Sequence, residues 1–280
     1  EVPGRVLNQF SMDEHNDYFR IATTYENRDK GYITSNNVYI LDSNMNITGR
    51  IEDIAPGEQI YSVRYMGDRA YIVTFKTVDP LFVLDLKSPW DPKVLGALKI
   101  PGYSDYLHPY DENHIIGFGK DTVELPVKDS KGNELGTTAY YLGMKIALFD
   151  VTDVAKPIEK YNVKIGDRGT DSELLRNHKA LFFDKERNLL AFPVTVREVK
   201  GSAVDERSGF PQYGEITFQG AYVYELTNAE GFDLKGTISH LNTDDYLKSG
   251  YYDVVSGKEI KRILRIEDIL YAVSDNTISA

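Results

Sequence analysis

Cysteine is absent from this 280-residue chain. That excludes disulfide staples, thiolate metal sites and cysteine nucleophiles, while leaving the compartment open, since exported proteins too can lack the residue. No apolar run approaches the roughly 18–20 residues that cross a bilayer, so membrane insertion is not expected in this region. Excess positive charge is missing as well. Lys and Arg total 32 against 43 Asp and Glu, giving a formal charge of −11 and a pI near 5.0. Such a chain repels phosphate backbones and anionic lipid, and no basic cluster reverses the sign locally, so nucleic acid is not an expected partner. No starting Met or signal peptide precedes Glu1-Val2-Pro3-Gly4, and the chain reads as a processed product or an excised fragment.

What is present points to strands. Hydrophobic residues make up 41%, enough for a core, and 20 Tyr and 12 Phe join many Val, Ile and Thr. One pattern recurs: β-favouring residues closed by an acid, as in VYILD (38–42), LFVLD (81–85), IALFD (146–150) and AYVYE (221–225). Each is preceded by a hairpin-like pair, at 9–24, 60–75, 105–119 and 178–194, with a fifth pair at 261–275. Gly67-Asp68-Arg69, Asp111-Glu112-Asn113 and Asp184–Asn188 are residues suited to their turns. A fourth run follows each closing acid: ITGRIEDI, VLGALKI, IEKYNVKI and FDLKGTIS. The unit is four antiparallel strands, A to D.

Serial four-stranded units of about 40–50 residues indicate an all-β fold, a β-propeller, with longer intervals carrying insertions. About five blades are expected within one domain over 1–280, with inserted loops at 120–143 and 197–219. The last blade stops partway into strand C. Val2–Leu7 offers one short strand that would close the ring; the alternative, preferred here, is that the chain is part of a larger propeller whose N-terminal blades lie upstream.

The strings VPGRVLNQFSMDEHNDYFRIATT (2–24), PGYSDYLHPYDENHIIGFG (101–119), LFDVTDVAKP (148–157) and RGTDSELLRNHKALFFDKERNLLAFPV (168–194) carry a family resemblance. The chain resembles secreted proteins with a C-terminal β-propeller domain distantly related to WD repeats. The resemblance covers most of the chain. It implies an extracytoplasmic bacterial or archaeal protein, secreted or at the cell surface, with earlier blades upstream. It brings no biochemical activity to these positions.

In a propeller the D–A and B–C connections share one face. The insertions fall in B–C connections and the Gly-acid segments in D–A connections, so that face is expected to be the functional one. Glu58, Asp105 and Glu173 are read as equivalent D–A acids. They would either ring a channel mouth, binding Ca²⁺ or a basic ligand, or accept backbone N–H groups and lock blade to blade; repeated geometry favours the second. RGTDSELLRNHK (168–179) adds Asp171, Ser172, Arg176 and His178; no GxSxG elbow surrounds Ser172, so a structural polar cluster is the better reading. Tyr140, Tyr141, Phe210, Tyr213 and Phe218 on the insertions would bind sugar or peptide, or pack the insertions down. Trp90, in a C–D connection on the other face, is read as capping its turn.

Asp42, Asn44 and Asn46 imitate alternate calcium ligands, but Ile47 stands where the turn glycine belongs and no Glu follows at the twelfth place. His108 and His114 fall on diagonal strand positions, with Val63 and Tyr71 at the equivalent places, and are read as ordinary blade residues. The expected function is a non-enzymatic binding scaffold without cofactor, engaging a protein or glycan partner through Glu58, Asp105, Asp171, Glu173 and Tyr213. The alternatives are a glycan or peptide hydrolase using Asp105 and Glu173, and a calcium-stabilised envelope module.

Overall fold

A computed structural model describes residues 1–27, 33–75, 79–128, 131–205, 209–249 and 257–280. Parts of both expected insertions, 129–130 and 206–208, lie outside the described residues. The strands are β1 (Met12–His15), β2 (Tyr18–Asn27), β3 (Ile33–Leu41), β4 (Ile47–Ile54), β5 (Gln59–Met66), β6 (Arg69–Phe75), β7 (Asp79–Asp85) and β8 (Lys93–Ile100). There follow β9 (Tyr103–Asp111), β10 (His114–Lys128), β11 (Glu134–Asp150), β12 (Ile158–Ile165), β13 (Phe182–Asp184), β14 (Leu189–Glu198), β15 (Glu215–Thr227) and β16 (Gly231–Ile238). A short helix, α1 (Thr243–Ser249), precedes β17 (Arg262–Ile266), β18 (Ile269–Val273) and β19 (Ile278–Ser279).

Within each sheet every strand pairs with the next in sequence, giving among the described residues four four-stranded sheets and a three-stranded last one, β17-β18-β19. The four-run unit is therefore the real repeat, and β4 and β12 coincide with the runs read from sequence. Turns are shorter than expected: only Gly67-Asp68 and Glu112-Asn113 separate strands A and B. In the first sheet Asn16 (φ 52°) and Asp17 (φ 66°) turn the chain in two residues, a conformation Asn and Asp tolerate. The 120–143 insertion is mostly not a loop. It prolongs the β10–β11 hairpin.

The closing acids have a local task. Asp42, Asp85 and Asp150 accept the backbone N–H two residues on, from Asn44, Lys87 and Thr152, at 2.9–3.0 Å. The next residue then donates its N–H to the A–B turn of the same sheet: Leu86 to Asp68, Val151 to Asn113 and Leu226 to Asn188. This explains the acid that closes the first three C strands; in the fourth, β15 runs on to Thr227 and Glu225 pairs with Lys235 instead.

The chain forms two compact units, Glu1–Gly117 with Leu148–Glu159, and Phe118–Ala147 with Lys160–Ala280. In the first, Val38, Ile40, Val63, Ala70, Ile72 and Leu84 make a core from the first two sheets. Strands β3 and β6 are buried along nearly their whole length; VYIL in β3 and AYIV in β6 are apolar runs, while Ser35, Asn36 and Asn37 of β3 are buried polar residues, and β4 is more exposed. In the second, Ala191, Ala221, Val223, Ile260, Ile263 and Ala272 pack together.

Strand A is interrupted in two sheets. Arg5 exchanges backbone bonds with Thr24 of β2, then a short 3₁₀ turn (Gln9–Ser11), capped by Asn8, precedes β1. Likewise Asp171 pairs with Thr195 of β14, and two 3₁₀ turns (Glu173–Leu175 and His178–Ala180) precede β13. The N-terminal segment thus belongs to the first sheet.

Candidate functional site

In the second unit the strand-A start of the fourth sheet, β14, β15 and the segment before β17 enclose a cleft of about 330 Å³. Charges of both signs line it: Asp171, Glu173 and Glu259 with Arg176, Arg197 and Lys261. Asp171 is the focus. Lys120 Nζ lies 3.0 Å from its Oδ1 and Arg176 Nη1 2.6 Å from its Oδ2. Burial pushes the Asp171 carboxyl up, but the two cations outweigh it and hold it below the ordinary carboxylate value. Glu173 accepts from Asn177 Nδ2 at 3.2 Å and faces Arg262 Nη1 at 3.6 Å. Ser172 is buried, donates its hydroxyl to Pro193 O and accepts the N–H of Leu174, so both its roles are structural.

An aromatic cluster stands at the cleft's edge. Arg168 Cζ lies 4.3 Å from the Tyr213 ring centre and 5.4 Å from that of Tyr140, while Tyr140 stacks on Phe210 at 5.0 Å. Arg168 Nη1 also donates to Pro211 O at 2.8 Å. Gly169 (φ 101°) lets the chain pass beneath: a Cβ there would lie 2.7 Å from Arg197 Cδ and 3.1 Å from Tyr213 Cδ1. Asp167 ties down the second insertion by donating its N–H to Arg197 O and accepting from Val199 N. The D–A segment and the two insertions therefore meet within this unit. Tyr213 (55% exposed) and Phe210 (43%) remain half open to solvent.

The same end of the sheets carries blade-to-blade locks that the sequence reading missed. By register, Thr24 faces Asn36 across β2 and β3 as Thr195 faces Gln219 across β14 and β15. Thr24 Oγ1 accepts from Ile60 N, and Asn36 Nδ2 donates to Glu58 O and Ile54 O. Gln219 does both tasks at once, accepting from Ile260 N at 3.1 Å and donating to Ile260 O at 3.2 Å. Lys120, six residues into β10 as Thr24 is into β2 and Thr195 into β14, donates to Thr170 O. These are a threonine, two neutral amides and a lysine, residue types without a shared sequence signal.

The expected D–A acids are not equivalent. Glu58 precedes β5 and accepts from Thr74 Oγ1. Asp105 lies inside β9 rather than in a loop, half-buried in the first unit. Glu173 opens a 3₁₀ turn; it is Asp171 that pairs with β14 as Gln59 pairs with β6. The Asp42 carboxylate is turned onto its own hairpin, accepting from Asn46 N, Asn46 Nδ2 and Asn44 N, and the backbone N–H of Asn46 is foremost in holding its pKa below the ordinary value. His114 hydrogen-bonds Asp111 Oδ1 at 2.8 Å, and His108 bonds the Tyr106 hydroxyl at 2.9 Å. Among the described residues no group of three or more His, Cys, Asp or Glu side chains is placed to hold a metal ion.

The sequential four-stranded sheets are those of a propeller, and the profile of the Beta propeller domain family matches residues 1–280; the chain belongs to that family. It is 43% identical over 198 residues to the uncharacterized protein MJ1554 of Methanocaldococcus jannaschii, covering 69% of this chain and 28% of that protein. It is 37% identical over 217 residues to an uncharacterized protein of Archaeoglobus fulgidus, covering 72% and 31%. The chain thus spans about a third of the length of the curated relatives it matches.

Proposed function

We propose that this propeller is a binding module of an extracytoplasmic protein, and that it holds a protein segment at the Asp171–Lys261 cleft. The observation that carries this is the joining of a cleft lined by both charge signs to a half-exposed Tyr213–Arg168–Tyr140–Phe210 cluster, in which Tyr140 stands on β11 and the others on the connections beside β14 and β15. Tyr and Arg anchors beside polar groups are the usual centres of protein recognition. Alternating charges suit a peptide, which brings both signs with it. The extracytoplasmic setting rests on the family resemblance of the sequence.

Panning a random-peptide library against the chain tests the reading. The expected result is a consensus peptide whose calorimetric affinity falls about tenfold or more in Tyr213→Ala and in Arg176→Ala, with unfolding temperatures little changed. A peptide that binds both variants as well as the parent chain places recognition elsewhere. Selection of no peptide, with binding or turnover on a glycan panel, overturns the reading.

A further inference from the structure

The loops 84–92 (LDLKSPWDP) and 149–157 (FDVTDVAKP) are the same device in consecutive sheets. In the first, Asp91 N bonds Ser88 O and Pro89 O lies against Gly49 of β4; in the second, Lys156 N bonds Asp153 O and Val154 O lies against Gly96 of β8. By this correspondence Trp90 stands where the other loop has Ala155. The turn forms with alanine, so the indole is not what shapes it. Yet Trp90 is 68% exposed, a costly way to place the largest apolar side chain.

Its surroundings are built. Tyr18 meets the indole edge-on, ring centres 5.9 Å apart at 78°, and leaves the rest of it open. Thr48 Oγ1 donates to Pro89 O at 3.1 Å and Leu86 N to Asp68 O at 2.8 Å, so the loop is anchored. His15, Asn16, Tyr18, Lys87 and Trp90 share a cavity of about 260 Å³ in the first unit. Two of the lining nitrogen side chains are already partnered: His15 with Asp68 at 3.2 Å, and Arg20 with Asp13. Lys87 is exposed and makes no ion pair among the described residues.

We infer that this cavity is a second binding site, independent of the cleft described above, and that it takes an acidic sugar ring, a uronate. The electron-rich indole face attracts the polarised C–H groups of a pyranose and repels an anion laid upon it. The ring stacks on Trp90, its hydroxyls meet the amide of Asn16, and its carboxylate pairs with Lys87. A cavity this small, at the lower end of small-ligand sites, suits a single ring rather than an extended peptide.

Trp90 is the one tryptophan of the chain, so its fluorescence reports on this site alone. The chain is titrated with tetragalacturonate and with neutral galactotetraose. A saturable emission change is expected with the acidic oligomer, at least tenfold tighter than with the neutral one and weaker at high salt. Lys87→Gln should level that preference, and Trp90→Ala should abolish the heat of binding, with unfolding temperatures unchanged in both. Absence of emission change and of heat with the acidic oligomer overturns the site. Equal affinity for both oligomers, indifferent to Lys87→Gln, overturns its acidic specificity. A Trp90 response to a proline-rich or acidic peptide but not to the sugars overturns the ligand class.

Discussion

The two ends of the sheets join neighbouring blades by different physics. At the C–D end, backbone comes close against backbone, with Thr48 Oγ1 adding a hydrogen bond to Pro89 O. A Cβ on Gly49 or on Gly96 would come within 2.3 Å of Pro89 O or Val154 O, so only glycine admits the loop of the following sheet. Between the third and fourth sheets the arrangement is inverted: Tyr161 on β12 is met by Gly231 at the start of β16, where a Cβ would lie 2.6 Å from Tyr161 Cγ. At the D–A end, side chains do the joining, and their chemistry changes from seam to seam: Thr24 with Asn36, Lys120, then Gln219. A steric demand has one answer, hydrogen. A hydrogen-bonding demand has several, which is why one end repeats visibly in the sequence and the other does not.

Substitutions at each end put this contrast to the test. The largest loss is expected for Gly96→Ala and Gly49→Ala, about 3 kcal/mol each by denaturant unfolding, because a backbone oxygen must move. If either costs under about 1 kcal/mol, the loops are not held by close approach. Gln219→Leu comes next, at about 3 kcal/mol or slightly less, since the N–H and C=O of Ile260 would both lose their partner in a buried setting. Asn36→Leu should cost about 2 kcal/mol, as Thr24 still serves Ile60. Equal costs for the two amides would show that the blades do not divide the work as the bonds suggest.

Lys120→Met is expected to cost about 1 kcal/mol at pH 7, a figure kept small because Asp171 is partly exposed. Its pH dependence is more telling. The Asp171 carboxyl titrates below its ordinary value when folded, so its contribution is present above about pH 4 and is lost as pH falls through the folded value. The gap in unfolding temperature between parent and variant should therefore narrow from pH 7 to pH 3. A constant gap would assign the effect of Lys120 to the Thr170 carbonyl alone. The smallest effect is expected for Trp90→Ala, below about 0.5 kcal/mol, because Ala155 already occupies the matching place.

The strand grammar was legible because it is local. The inner strands carry short apolar runs, VYIL in β3 and AYIV in β6, and the Asx hydrogen bond after three of the C strands favours an acid at one position. The gathering of aromatics from the two insertions was not legible. Tyr140 and Tyr213 are far apart in sequence, and Arg168, which binds them, drew no notice beside the acids that follow it. Asp105 was misplaced because a strand's first residues look like the loop before them.

The repeated four-strand unit, the closing acids and the acidic, cysteine-free character are written into the order and kind of the residues, since period and composition are properties of neighbours along the chain. Folding in three dimensions sets the rest: Asp171 rather than Glu173 takes the strand-A position, Asn36, Lys120 and Gln219 lock the blades, and Trp90 is surplus to its turn. Each of these depends on which backbone atom of a distant segment arrives opposite a given side chain, and no one-dimensional pattern records that.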